Sequence, residues 1–328
     1  MAEEEPSSLA SIARSQRIPE KEFEKQYKNH LSGFKDWEQL DHAEEWIIFP
    51  QNIGKRLSLD EVALTNGELY TILTNKAAHG RKGALVAMIR GTRSKDVSAI
   101  LAKIPEKDRN LVSEITLDMA ESMENIVRYS FPNATHVTDR FHVQQLVSEA
   151  TQEIRINLRK EAIRAENEQI KLARSQSRRY RSQIFENGDT KKQLLARSRY
   201  LLFKSQSKWN DQQTTRSVIL FREHPELKNA YDLSMMFRNC YEHNDSIAKA
   251  KESFAKWYQK VEEKNIDSFI VAAESIRLHE TTILNYFISR STNASAESFN
   301  AKLKGFRSVV RGVRDKKFHL FRVAKLFG

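Results

Sequence analysis

Strand-forming sequence in this chain of 328 residues is confined to one stretch, positions 56–142, and that restriction decides most of what the chain can fold into. Apolar runs occupy 57–64, 68–74 and 83–89, and Asn66-Gly67 between the first two is a hairpin-turn pair. The pattern then alternates. Residues 94–102 carry Val97, Ile100 and Leu101 at helical spacing, 112–117 return to strand, 119–130 are helical, and 135–138 form a short strand after a turn at Asn133. A three-strand meander followed by helix, strand, helix, strand predicts an α/β layer architecture, with parallel strands beside an antiparallel hairpin.

From Phe141 to about Asn285 the strand signals vanish. Leu233, Phe237 and Tyr241 fall at i, i+4, i+8, and Phe254, Trp257, Tyr258 and Val261 at i, i+3, i+4, i+7, so this stretch reads as helical. Positions 161–180 are too polar to hide a full helix face and predict an exposed, bridging or DNA-facing helix; Asn187-Gly188-Asp189 and 208–213 are the loop breaks. After Ser291-Thr292-Asn293 a last amphipathic helix is expected, with Ser295 as its N-cap and Phe299, Leu303 and Phe306 as its apolar face. Before the strands, Phe23, Tyr27 and Leu31 share one helix face in a segment that otherwise reads as a flexible start. The expected organisation is an N-terminal segment 1–55, the first part of a strand-rich core 56–145, an all-helical insertion 146–288, and a return to the core at 289–328.

Three acidic residues stand where an acid is costly. Asp60 interrupts a buried strand, Asp118 closes a second apolar run where a helix begins, and Glu297 opens the last amphipathic helix, on the side it shares with Asn300 and Lys304. Asp60's neighbour Glu61 alternates to the opposite face and reads as solvated. A bland reading exists for two of the three: Asp118 as a helix N-cap, Glu297 as a complement to the helix dipole. Taken together, three carboxylates around a sheet point to a divalent-metal site. Two Mg²⁺ ions about 3.5–4 Å apart activate a water or 3′-hydroxyl and stabilise the leaving oxygen in phosphodiester chemistry. Such ions take oxygen ligands and need neither Cys nor His.

The charge balance agrees with a nucleic-acid substrate. The chain has 54 Lys+Arg against 43 Asp+Glu, a net charge of +11. The excess is local: 16 Lys/Arg against seven Asp/Glu over 151–220, and nine against one over 298–328. Clustering of this kind suits a phosphate backbone better than general solubility. A single cysteine, Cys240, excludes an internal disulfide and a Cys-rich zinc ribbon, and favours a reducing setting. No apolar run approaches the roughly 18 residues of a membrane span, and the acidic start Met-Ala-Glu-Glu-Glu lacks the order of a signal peptide. A cytoplasmic, nucleoid-associated protein without a membrane partner is expected.

Several motifs in this order resemble a known family. They are the strand bearing Asp60, Leu-Asp-Met at Asp118, Phe-Pro-Asn-Ala at 131–134, Thr-Asp-Arg-Phe-His at 138–142, and Asn-Ala-Ser-Ala-Glu-Ser-Phe-Asn at 293–300. In the helical stretch, Ser198-Arg199-Tyr200-Leu201-Leu202 and Asn229-Ala230-Tyr231 match the same pattern. Together, over roughly 57–322, the chain resembles the DDE transposases of bacterial insertion sequences, the group called ISL-three. The resemblance implies an RNase H-like mixed sheet interrupted by an all-helical insertion domain. It implies Asp60, Asp118 and Glu297 as ligands of Mg²⁺ or Mn²⁺, and Asp139 and His142 as an Asp-x-x-His signature beside the site. His142 can equally be a half-buried structural histidine, and Arg140 a phosphate contact or an ion pair. Asn293 and Asn300 flank Glu297 and would orient it or touch DNA, while Lys302, Lys304, Arg307, Arg311 and Arg314 fit phosphate binding. For Trp209, core packing is favoured over stacking on a flipped base.

The implied activity is metal-dependent cleavage of double-stranded DNA at element ends and transfer of the 3′-hydroxyl to target DNA, by a homo-oligomer that pairs the ends. Family members usually begin with a zinc-binding and helix-turn-helix region; the stretch before Asp60 has no Cys pair. A companion end-recognition protein, or an element lacking that module, is therefore expected. Two other readings stay open: a non-catalytic DNA-binding remnant of a decayed transposase, and an RNase H-like nuclease selective for branched DNA.

Overall fold

The computed structural model describes residues 3–64, 67–310 and 315–328. The chain divides into two compact units, one formed by residues 1–139 with 290–328 and the other by residues 140–289.

The first unit is built on a six-stranded mixed sheet. Its strands are β1 (Trp46–Ile48), β2 (Arg56–Ala63), β3 (Leu69–Asn75), β4 (Leu85–Arg90), β5 (Glu114–Leu117) and β6 (Thr135–Thr138), in the order β1-β4-β3-β2-β5-β6. The meander β2-β3-β4 is antiparallel, whereas β5 runs parallel to β2 and β6 parallel to β5. The strands from β2 to β6 are those the sequence predicts, within two residues at each end. Strand β1 was not predicted: it is three residues long and exists by pairing with the edge of β4. The turn at Asn66-Gly67 lies half outside the described residues; Gly67 adopts φ +77°, a conformation in which a side chain would be strained.

Strict alternation along the strands divides the core into two layers. On one face Leu57, Leu59, Leu73, Ile115 and Leu117 pack with Val97 and Leu101 of the helix Ser94–Leu101 and with Met123, Ile126 and Val127 of Glu121–Ser130. On the other, Val62, Tyr70, Ile72, Leu85 and Met88 meet Phe299, Leu303 and Phe306 of the helix Ala294–Val309, and Leu320, Val323 and Phe327 of Lys316–Phe327. Asp60 alternates with Val62 and so belongs to this second face. The mixed sheet with a helical layer on each face is consistent with an RNase H-like core, and the chain as a whole is α/β with a separate helical part.

The N-terminal helices Leu9–Ser15 and Glu20–Gln26 pack with Phe34 against Phe318 and Phe321 in the same unit. The helix face predicted through Phe23, Tyr27 and Leu31 is broken. A π-helical turn covers Tyr27–Leu31, and its wider winding leaves Tyr27 buried but turns Leu31 to solvent, 68% exposed.

The second unit is all-helical among its named elements, apart from an isolated bridge between Ile184 and Thr190. Its interior holds both predicted stripes, including Leu233, Phe237, Tyr241, Phe254, Trp257 and Val261. The Trp257 indole N–H donates to the Leu233 carbonyl at 2.9 Å, which satisfies the one polar atom the ring brings inside. Trp209 also packs inward, beside Phe221 and Tyr231, with its indole N–H on the Leu201 carbonyl. The long helix Arg140–Ser175 is buried along its first half and exposed along its second, as the polarity of 161–180 requires. No described helix is long and apolar enough to cross a membrane.

Candidate nuclease site on the sheet

Three parallel strands set the site, the middle of β2 and the carboxyl ends of β5 and β6. The pairing register runs Ser58 to Thr116 between β2 and β5, and Thr116 to Val137 between β5 and β6. Continued two residues, it brings Asp60, Asp118 and Asp139 to one level on adjacent chains. Neighbouring strands lie about 4.8 Å apart, so this is a row of acids at the end of the sheet.

Each acid is held by its own local chemistry. Asp60 Oδ1 accepts the Glu61 backbone N–H at 2.8 Å, and Oδ2 accepts Asn300 Nδ2 at 2.8 Å. Asp118 Oδ1 accepts the Ala120 N–H at 2.9 Å. That bond spans two residues and forms a turn. It is not an N-cap, because the following helix starts only at Glu121, behind Ala120. Asp139 is 2% exposed, and its Oδ1 accepts the Asn293 N–H at 3.2 Å.

Glu61 is half-buried, not solvated. Burial, then the charges of Asp118 and Asp60, hold its carboxyl above the usual range. The strand Asp60–Glu61 and the end of β5 thus form one negatively charged locus.

The helix Ala294–Val309 crosses this face. Its N-cap position is Asn293, two residues before the predicted Ser295, which lies inside the first turn. The expected division of its faces holds: Phe299, Leu303 and Phe306 are buried, whereas Glu297 and Lys304 are exposed. Asn300 sits between, 8% exposed, and reaches Asp60. Glu297 lies one turn before Asn300 on the same side of the helix. Among the described residues, no three His, Cys, Asp or Glu side chains are already gathered to hold one metal ion. The donors nonetheless suit a hard divalent cation, since Asp60, Asp118 and Asn300 offer only oxygen or amide groups. Asn300 Oδ1 in particular is buried without a hydrogen-bond partner among the described residues, beside Asp60.

The remaining sequence-predicted residues are placed as follows. Asn293 is 1% exposed, and its side-chain amide has no partner among the described residues. His142 lies in the first turn of Arg140–Ser175, half-buried, with its ring edge-on to Phe141. Arg140 lies 3.5 Å from Glu242 and over the Tyr241 ring, so its guanidinium is engaged within the helical unit. Lys302 donates to the Gly80 carbonyl at 2.9 Å. Lys304 is exposed, Arg307 is half-buried, and Arg311 and Arg314 lie outside the described residues.

Three polar neighbours below the row of acids carried no sequence signal: Lys76, Glu114 and Ser291. Lys76, on the turn after β3, bonds the Thr116 and Ser291 hydroxyls and lies 3.6 Å from Glu114. Burial pushes its ammonium down to about 8, against the opposing pull of Glu114.

A second charged surface belongs to the helical unit. Between Glu168 and Glu186 the chain has no acid, but Lys171, Arg174, Arg178, Arg179 and Arg181 are all exposed there. None of the five enters an ion pair among the described residues. Self-repulsion of this kind opposes folding, which fits a surface that meets a polyanion.

A transposase family model, the ISL3-type DDE transposases, matches residues 57–323. The transposases for insertion sequence element IS1557 from two strains of Mycobacterium tuberculosis are each 22% identical over 266 residues, covering 80% of this chain and 57% of theirs. The chain thus spans little more than half the length of these relatives. No solved structure matches it. With the family match running from the first residues of β2 into the last helix, through every element that carries the row of acids, the chain belongs to the ISL3-type DDE transposase family.

Proposed function

We propose that this chain carries the catalytic part of a DNA transposase that cuts at insertion-sequence ends and joins the freed 3′-hydroxyl to target DNA. The observation that supports this reading most is the contact between Asp60 on β2 and Asn300 on the helix of Glu297, with Asp118 just past the end of β5. In this reading Asp60, Asp118 and Glu297 hold Mg²⁺ or Mn²⁺. Such ions, when bound, lower the pKa of the attacking water or hydroxyl and stabilise the leaving oxygen.

The chain's own residues supply placement. Asp60 has both oxygens fixed, one by the Glu61 N–H and one by Asn300, so its carboxylate cannot swing away from the row. Asp118 is fixed by the Ala120 N–H. Glu297 is exposed in the first helical turn, one turn before Asn300, and is the third ligand of this reading. Lys304, with the exposed cations of the helical unit, would hold the phosphate backbone without reading sequence. A second copy of the chain, and a companion protein for end recognition, complete the proposed assembly in the nucleoid.

The test is nicking of double-stranded element-end DNA in Mg²⁺. Asp60→Asn and Glu297→Gln should each reduce it by at least a thousandfold while DNA binding is retained. Activity surviving in either folded variant would remove the assignment.

A further inference from the structure

Beneath the row of acids lies a buried cation that family membership does not explain. Lys76 follows β3, and its side chain is 12% exposed. Its ammonium reaches the Thr116 hydroxyl on β5, Glu114 at 3.6 Å on the same strand, and the Ser291 hydroxyl. Ser291 lies two residues before Asn293, the N-cap position of the helix that carries Glu297 and Asn300. Asp139 makes a parallel tie, accepting the Asn293 N–H. Two ties therefore join the sheet to the three residues from which this helix starts.

We propose that Lys76 is a positioning residue that sets the start of the Ala294–Val309 helix over the row of acids, and with it the approach of Glu297 to Asp60 and Asp118. This inference rests on the transposase reading for its catalytic consequence, but the tie itself stands on the geometry alone. An ammonium is suited to the place. It is compact, it can donate to three oxygens at once, and its long stem lets it cross from the β3 end to β5 beneath β2. Of its three partners, Thr116 and Glu114 are on the sheet and only Ser291 is not, so Ser291 is the point where the cation acts on the helix. The charge adds a second effect. Five carboxylates, Asp60, Glu61, Asp118, Asp139 and Glu114, lie on β2, β5 and β6 or at their ends, and Lys76 is a buried cation beside Glu114 in that set. It offsets their repulsion and lets the row stay close-set before any divalent ion arrives.

The test reads the tie without metal and its consequence with metal. Lys76→Met alone strands Glu114 inside, so the principal variant is Lys76→Met with Glu114→Gln, compared with Ser291→Ala. Hydrogen exchange of amides 291–300 should accelerate about tenfold in each, with no further gain when the changes are combined. Exchange in the strands β2 to β4 should stay unchanged. In cleavage assays the Mg²⁺ concentration for half-maximal rate should rise about tenfold, as when an outer partner of a metal ligand is lost, with little change in rate at saturating Mg²⁺. Folded variants whose 291–300 amides exchange at the wild-type rate would overturn the proposal. So would exchange raised evenly across the sheet, which marks a general stabiliser. A wild-type protein with no metal-dependent cleavage would defeat the transposase reading and leave the exchange result standing.

Discussion

Asn300 and Asp60 are 240 positions apart in the chain, and the amide of one donates 2.8 Å to the carboxylate of the other. This contact joins the helix Ala294–Val309 to strand β2 across the whole helical unit in sequence. A hydrogen bond to a charged group is worth about 1.5–3 kcal/mol. Asn300→Ala should therefore slow Mg²⁺-dependent cleavage about 10- to 100-fold, with a melting temperature only a few degrees lower. Asn300→Asp should be worse, because it sets a second carboxylate on Asp60. Rates and thermal melts of the two variants check both statements; an Asn300→Asp protein as active as wild type would show that the contact does not orient Asp60.

The exposed cations between Lys171 and Arg181 should act through salt. If each of the five contacts one phosphate, replacing all of them with Gln should flatten the slope of log K against log salt by about 4.5, since each phosphate contact contributes about 0.9. Fluorescence anisotropy with duplex DNA at several salt concentrations measures it. An unchanged slope would mean that this surface meets something other than DNA.

His319 should govern part of the acid limb of stability. It is 6% exposed, stacks on the Phe306 ring, and burial together with Arg307 and Arg322 pushes it down to about 3. The unfolded chain binds a proton near pH 6.5, and the folded one does so only near 3. Stability is thus intact above pH 6.5 and falls as pH drops through that window, by up to about 1.4 kcal/mol per unit. His319→Phe should flatten this limb in denaturant titrations between pH 4 and 7; an unaltered limb would show that other groups control it.

In the helical unit, Asp189 is fully buried between Arg216, at 2.9 Å, and Arg197. Burial opposes its ionisation, but hydrogen bonds from Arg216 and Arg197 outweigh it and hold the carboxyl below the usual range. Without Asp189, Arg197 is 55% exposed and can turn to water, while Arg216, 18% exposed, loses its hydrogen-bonded partner, so Asp189→Ala should cost about 2 kcal/mol. Equilibrium unfolding of the variant decides it, and a loss under 1 kcal/mol would count against a role for the pair.

What was legible beforehand follows from the range over which each signal acts. The strands of the meander, the alternation after it and the apolar stripe of the last helix are periodic patterns within one segment. Such patterns survive folding because burial on one face is what selects them. Strand β1 was illegible because three residues cannot display a period, and its pairing partners are 39 to 43 positions away. The cap at Asn293 was displaced by two residues, since several cap-competent side chains stand in a row at 291–295, and the helix after Asp118 starts two residues late because Asp118 closes a turn onto Ala120 instead. Asp60 was legible as an acid in a strand, but Glu61 was misread: alternation gives the face, and it does not report that the end of β5 lies alongside. Lys76, Glu114 and Ser291 were invisible for the same reason. A lysine after a strand reads as solvated until the chain brings two distant hydroxyls to it.

If Asp60, Asp118 and Glu297 hold one metal ion, they must come together on binding it, since no three such groups are pre-gathered among the described residues. Iron-directed backbone cleavage reads this, with Fe²⁺ replacing Mg²⁺ and ascorbate and peroxide generating hydroxyl radicals at the bound ion. Cuts are expected near 60, 118 and 297, all suppressed together by Mg²⁺ and all lost in Asp60→Asn. Cuts near 60 and 118 with none near 297, in the presence of element-end DNA, would contradict it.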